Sequence, residues 1–280
     1  MLAALPPLAA EPIFNIGTFS VTNTYINSTL TVLLFAVLAF FISRKVKDVP
    51  GKLQNLFEWV TEMMLMYFDQ VTGSRKKSEK FLPLIGALFL YIVISNWISL
   101  LPGIGSIGLY RAGEFIPFFR PANTDLNTTL SMAVFGVILA HIIGVFSIGF
   151  FKYFNKFIKI SDIWHAVKSK KAMNIMTAAI EFMVGFLEII SEAAKILSLS
   201  LRLFGNIFAG EVLLTVLGSI VAYLVPTPFM GLEFLVGIVQ AAVFAMLVLT
   251  YITVATMPDP EHAKESKHGH ESHASEQPAV

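Results

Sequence analysis

The chain has 280 residues, 55% hydrophobic and 14% charged, with a mean hydropathy of +0.71. That composition excludes an ordinary soluble domain and fits an integral membrane protein. A net charge of +1 gives no reason to expect a nucleic acid partner, and the lack of cysteine excludes disulfides, thiolate chemistry and cysteine metal sites.

Met1–Asn23 contains no Lys or Arg and carries Pro6, Pro7 and Pro12, which predicts a short irregular segment. Without a basic n-region it reads neither as a cleavable signal nor as a transit peptide. Thr24–Ser43 is uncharged and predicts a first span, stopped by Arg44-Lys45-Val46-Lys47. Val49-Pro50-Gly51 predicts a turn. Leu53, Leu56, Phe57, Val60, Met64, Tyr67, Phe68 and Val71 then recur at helical spacing, with Gln54, Glu58, Glu62 and Asp69 on the other face. This amphipathic helix, 53–71, is expected to lie flat on the membrane surface, with an acidic face that could instead meet a soluble partner.

Gly73–Lys80 reads as a polar, basic linker. Phe81–Leu101 predicts a second span, with Asn96 inside it as an interhelical polar contact. Pro102–Thr124 reads as a loop rich in Gly and Pro. Leu126–Phe151 predicts a third span, capped by Asp125 and Asn127, with His141 as a hydrogen-bonded packing residue. Lys152–Lys171 holds six lysines and predicts an interfacial turn.

Met173–Leu217 as one helix would be about 67 Å long, more than twice the hydrocarbon thickness, so it must tilt steeply or break. Gly218–Pro228 predicts a turn. Phe229–Met257 is again long, with Glu233 its only charge. Pro258–Val280 reads as a disordered polar tail, in which His262, His268, His270 and His273 are solvated side chains and not metal ligands.

The expected fold is therefore an all-α integral membrane protein. Five membrane-embedded helices accompany one amphipathic surface helix, and the last two spans are long, tilted and packed as a hairpin. Residues 1–23 form an outer-side segment, 24–171 the peripheral transmembrane helices with the amphipathic helix 53–71, 172–257 the two long tilted helices, and 258–280 the polar tail. Fourteen of the twenty Lys and Arg lie in Arg44–Lys80 and Lys152–Lys171. The positive-inside rule puts both segments in the cytoplasm, hence the N-terminus outside and the C-terminus inside.

Glu188–Glu211, EIISEAAKILSLSLRLFGNIFAGE, organises the rest. With Arg202 at zero on a helical wheel, Ser198, Lys195 and Ser191 fall within about 40°, as do Glu188 and Asn206. Glu211 falls at about 180°. A charge at bilayer depth costs about 2.5–3.5 kcal/mol on insertion scales, so Arg202, flanked by apolar residues, implies a partner or a pathway.

If the helices around Gly218–Pro228 form an antiparallel hairpin, Arg202 stands roughly opposite Gln240, and Glu211 opposite Glu233. Two neighbouring carboxylates in a low dielectric cannot both ionise cheaply, so one of them should hold or relay a proton. Asn206 and Gln240 can support a water chain. Arg202 cannot release its proton and acts as a fixed positive charge. Glu188, Ser191, Lys195 and Ser198 could wet a second path on its other side. Two half-paths separated by a fixed charge need a moving partner to carry the ion between them.

SLSLRLFGNIFAGE (Ser198–Glu211) resembles the signature of subunit a of the F-type ATP synthase membrane sector. VPGK (Val49–Lys52), NWISLLP (Asn96–Pro102) and PANTDLNTTLSMA (Pro121–Ala133) resemble further blocks of that family, and its last-helix Gln falls on Gln240. The resemblance implies a stator subunit beside a ring of c subunits, together with peripheral-stalk b subunits, in a bacterial cell membrane. Arg202 would face the ring carboxylate. Asn206, Glu211, Glu233 and Gln240 would line the outer half-channel, and Glu188, Ser191 and Lys195 the inner one. Many bacterial members have His where this chain has Glu233. No phosphate-binding loop is present, so ATP chemistry would belong to other subunits, and no cofactor is implied. The competing reading is a secondary transporter with its own midplane substrate site. It lacks the internal repeats such proteins usually show.

Overall fold

The computed structural model describes residues 7–257, apart from 8, 18, 45–46, 48–49, 102, 105–106, 112–113, 151–152, 154–171 and 222–223. The expected turn in Lys152–Lys171, Tyr153 excepted, and the 258–280 tail lie outside these residues. In chain order the elements are β1 (Pro12–Ile16), β2 (Phe19–Thr22), α1 (Asn23–Ser43), α2 (Lys52–Thr72), α3 (Arg75–Leu100), β3 (Gly108–Arg111) and β4 (Glu114–Pro117). A 3-10 turn (Ala122–Thr124), α4 (Leu126–Ile148), α5 (Ala172–Ile220) and α6 (Pro226–Ala255) complete them. α1, α3, α4, α6 and the Phe182–Ile220 part of α5 are long and apolar enough to cross a bilayer. The protein is an all-α membrane protein, with two small β-hairpins among the described residues.

Those hairpins correct two expectations. The segment before the first span is not irregular throughout: β1 and β2 pair antiparallel, turning at Gly17, whose φ of 65° suits a residue without a Cβ. The 102–124 stretch is not all loop either, since β3 pairs with β4 from Gly108↔Pro117 to Arg111↔Glu114. Both strand pairs are four or five residues long and poor in alternation, so periodicity does not reveal them.

The chain forms two compact units: Met1–Gly136 with Ile196–Thr250, and Val137–Lys195 with Tyr251–Val280. In the first, α1 is polar inside and apolar outside. Asn23, Thr24, Asn27 and Thr31 are buried at helical spacing, while Leu33, Val37, Phe40 and Phe41 are exposed. Lipid inverts the usual pattern: the apolar face needs no protein cover, and the polar face must find partners. Asn27 Nδ2 donates to the carbonyls of Ser95 (3.1 Å) and Arg120 (2.9 Å), and Ser28 shares a hydrogen bond with Tyr91 at 2.6 Å.

α2 and α3 form a hairpin. Gly73 ends α2 at a φ of 67°, Ser74 precedes α3, and the Thr72 and Ser78 hydroxyls bond at 2.8 Å. The expected 73–80 linker is thus only a two-residue turn, because Arg75–Lys80 already continues as helix. Arg75 there meets Glu62 (2.8 Å) and Asp69 (3.2 Å) of α2. The amphipathic helix is present, and part of its apolar edge (Met64, Leu65, Phe68) is buried, with Met64 reaching Gly86 of α3. Asp125, not Asn127, caps α4: Asp125 Oδ1 accepts from Asn127 N at 2.9 Å, and its Oδ2 accepts from Thr24 Oγ1 at 3.3 Å.

α5 runs 49 residues without a break, about 74 Å at the helical rise. Of the two expected solutions, tilt or break, only the unbroken one is compatible with it. In the first unit α5 buries Leu199, Leu203 and Ile207, and α6 buries Ala241, Phe244, Ala245, Val248 and Leu249. The intervening turn is shorter than Gly218–Pro228, since α6 starts at Pro226, a favoured residue at the start of a helix.

In the second unit, His141 Nδ1 hydrogen-bonds the Tyr153 hydroxyl at 2.7 Å, and its Nε2 lies 3.6 Å from Glu192 Oε2. The packing role expected of His141 holds, with these polar neighbours added. Tyr153 is buried. Burial first, then the Glu192 and Glu188 carboxylates, push its phenol up to about 12. The phenol therefore keeps its proton in the fold at pH values where the unfolded chain has lost it. The contribution of this phenol to stability is constant below about pH 10, and the fold loses stability through it as pH rises from about 10 to 12, where only the unfolded chain deprotonates. Tyrosinate absorbance followed against pH is expected to lose a late-titrating component in Tyr153→Phe. Loss of a component near pH 10 instead would contradict the burial argument.

Candidate functional site

The burial of α5 decides which way its polar residues look. Leu199, Leu203, Ile207 and Gly210 turn inward in the first unit, so Ser198, Leu201, Arg202 and Ala209 are exposed. Arg202 donates to Ser198 Oγ at 3.4 Å, a weak contact one turn back. Asn206 is exposed beside it as Ser198 is, and the large exposed residues of this stretch are apolar: Leu197, Leu201, Leu213 and Val216. The guanidinium thus stands on an exposed, mainly apolar face with Ser198 and Asn206 as its polar neighbours.

Behind this face the hairpin register expected from the loop midpoint is realised, with one shift. Gln240 Oε1 accepts from Asn206 Nδ2 at 2.6 Å; the residue opposite Gln240 is Asn206, one turn beyond Arg202. Gln240 is buried, and its Nε2 has no protein partner. At the other expected pairing, Glu233 lies directly over Gly210, where a Cβ would collide with the carboxylate. Trp97 secures that part of α6: its ring stacks on Phe234 at 4.0 Å, and its Nε1 donates to the Phe234 carbonyl at 3.3 Å.

Glu211 and Glu233 line one cleft of about 400 Å³, together with Asn96, Ser99, Arg120 and Thr215. Asn96 Oδ1 accepts from Asn123 Nδ2 at 2.7 Å, as befits the structural contact expected of it. Its Nδ2 and Asn123 Oδ1 are buried without a protein partner. An unsatisfied buried polar atom costs about 1–3 kcal/mol, so these atoms favour a hydrated cleft.

Sequence reasoning missed Arg120. It is 3% exposed, and its Nε donates to Glu211 Oε1 at 2.9 Å while Nη2 donates to Oε2 at 3.0 Å. Glu211 is therefore not simply half of a carboxylate pair with Glu233; it has a guanidinium as counter-ion. One signal was available. Arg120 and Arg111 are the only basic residues in the 102–125 segment, and Arg120 immediately precedes the PANTDLN block.

The other candidates fall in the second unit. Lys195 Nζ donates to Glu192 Oε1 at 2.5 Å and lies 5.4 Å from the centre of the Tyr251 ring. Ser191 is exposed, and Glu188 is partly exposed. No cluster of His, Asp and Glu able to hold a metal occurs among the described residues.

The sequence model of the family described as ATP synthase A chain matches residues 25–253. The chain belongs to the ATP synthase A chain family. ATP synthase subunit a of Moorella thermoacetica is 30% identical over 240 residues, covering 86% of this chain and 93% of that one. ATP synthase subunit a 1 of Syntrophotalea carbinolica is 34% identical over 226 residues, 81% of this chain and 82% of the relative. The Helicobacter pylori subunit a is 32% identical over 258 residues, 89% and 98%. As a subunit a family member the chain is a multi-pass membrane subunit of the F-type ATP synthase Fo sector, part of a complex for ATP synthesis and ion transport. The family match begins in α1 and ends in α6, so it takes in Arg202, the Asn206–Gln240 contact and the Glu211–Glu233 cleft.

Proposed function

We propose that this subunit a is the ion-conducting stator of the motor. It offers two offset half-channels to the carboxylates of a c-ring, with Arg202 between them, and the ion is a proton. The outer path runs through the cleft lined by Glu211 and Glu233 toward Asn206 and Gln240. The inner path begins at Glu188, Ser191 and Lys195. The chain itself catalyses no ATP chemistry. Peripheral-stalk b subunits hold it, its N-terminus lies outside and its C-terminus in the cytoplasm of a bacterial cell.

The observation that carries this reading is the position of Arg202: a permanent charge on an exposed, mainly apolar helix face, one turn from the Asn206–Gln240 hydrogen bond. Lipid is a poor neighbour for it; a passing carboxylate on a rotor is a good one. The chain contains no cysteine, so single cysteines can be placed cleanly. In the assembled complex, Leu201→Cys and Ala209→Cys are expected to crosslink to a cysteine near the ring carboxylate, whereas Leu203→Cys, 0% exposed, is not. Failure of both exposed positions to reach the ring would remove the reading.

A further inference from the structure

The Arg120–Glu211 pair carries one step more, which rests on the outer path proposed above. Arg120 Nε lies 2.9 Å from Glu211 Oε1 and 3.1 Å from Oε2, Nη2 donates to Oε2 at 3.0 Å, and Nη1 donates to the Ala9 carbonyl at 3.2 Å. Both carboxylate oxygens of Glu211 are engaged by a group that keeps its proton at physiological pH. A proton arriving on Glu211 would have to displace the guanidinium and leave it buried without a counter-ion. Glu11 is the nearby acid that Glu211 also feels, and it is held by Asn23, whose Nδ2 donates to Glu11 Oε2 at 3.5 Å. Glu233 lines the same cleft and makes no hydrogen bond or ion pair among the described residues. Its carboxylate lies over Gly210, which has no side chain to hold it.

We propose that Arg120 locks Glu211 into a fixed ion pair, so that Glu233 alone takes up and releases the travelling proton in this cleft. A hydronium in the cleft gives its proton to a Glu233 carboxylate oxygen, one O–H bond breaking as the other forms and neutral water remaining; on release the Glu233 O–H breaks and the proton bonds to a water on the ring side. Arg120 is a positioning residue: it withdraws Glu211 from the relay and ties the segment before the 3-10 turn to α5.

The test uses the complete complex in vesicles, comparing Arg120→Gln, Glu211→Gln, the double variant and Glu233→Gln. ATP-driven proton uptake and the amount of assembled complex are measured for each. Each single change at the pair strands one buried charge, and uptake is expected to fall about tenfold in both. The double variant removes both charges and is expected to recover at least about threefold over either single. Should Arg120→Gln not assemble, Arg120→Lys keeps the charge and is expected to assemble and conduct. Infrared difference spectra against pH supply a readout that mere structure would not move. The C=O band of a titrating carboxyl is expected to vanish in Glu233→Gln and to persist in Glu211→Gln. A band lost in Glu211→Gln but kept in Glu233→Gln would overturn the proposal, as would a double variant no better than the worse single. Unchanged proton uptake in Glu233→Gln would instead overturn the outer path itself.

Discussion

Alanine in place of Arg202 is expected to abolish ion-driven ATP synthesis, by about 100-fold or more, while the complex assembles in normal amount. That factor corresponds to about 2.7 kcal/mol of lost differential stabilisation, within reach of one charge acting at low dielectric. Assembly should survive because the guanidinium has little to lose: it is exposed, and its hydrogen bond to Ser198 is 3.4 Å long. No buried acid is stranded by its removal, unlike the case at Arg120. The vesicles are also expected to leak protons, since the fixed charge proposed to stand between the two half-paths is gone. Lysine keeps a charge but not the planar fork, so Arg202→Lys should remain far below the parent. Synthesis at the parental rate in Arg202→Ala would refute the stator mechanism.

Leucine at position 144 is expected to do the opposite, removing the subunit from the membrane instead of silencing it. A Cβ on Gly144 would lie 2.8 Å from the Ala255 carbonyl oxygen and 2.6 Å from the Tyr153 ring. The ring can swing aside at the cost of its hydrogen bond to His141, but the backbone of α6 cannot. Overpacking of this kind costs about 1–3 kcal/mol, and more where backbone must shift. Subunit abundance in membranes and the melting temperature of the complex should both drop. The control is Gly205→Ala or Gly231→Ala, where nothing lies within 4 Å of an added Cβ. There the change should be neutral or slightly stabilising, by up to about 1 kcal/mol from helix propensity. A Gly144→Leu subunit as abundant as these controls would contradict the close approach of α4 and α6.

The spans were legible because lipid leaves a one-dimensional trace: about twenty apolar residues with charges at the ends. α1 and α6 begin and end within three residues of their expected limits. The helical wheel of α5 was legible for a similar reason. Leu199, Leu203 and Ile207 share one side of the wheel, centred about 100° from Arg202 and about 140° from Ser198, so burying them turns Ser198 outward and leaves Arg202 on the exposed flank. The hairpin register was legible to within one turn, which was enough to bring Glu233 to Gly210 but not to choose between Arg202 and Asn206 as the partner of Gln240. The β-hairpins escaped notice because four residues give too short a record of alternation.

The amino-acid order alone determined that this protein lives in a bilayer, which helices cross it, and that one unreleasable charge sits amid apolar residues on the fourth of them. Each of these depends on neighbours along the chain. Only the tertiary structure decided that Glu211 has Arg120 as its counter-ion, because 91 residues separate them. Helical periodicity reports which residues share a face, and says nothing about the distant loop that packs against that face.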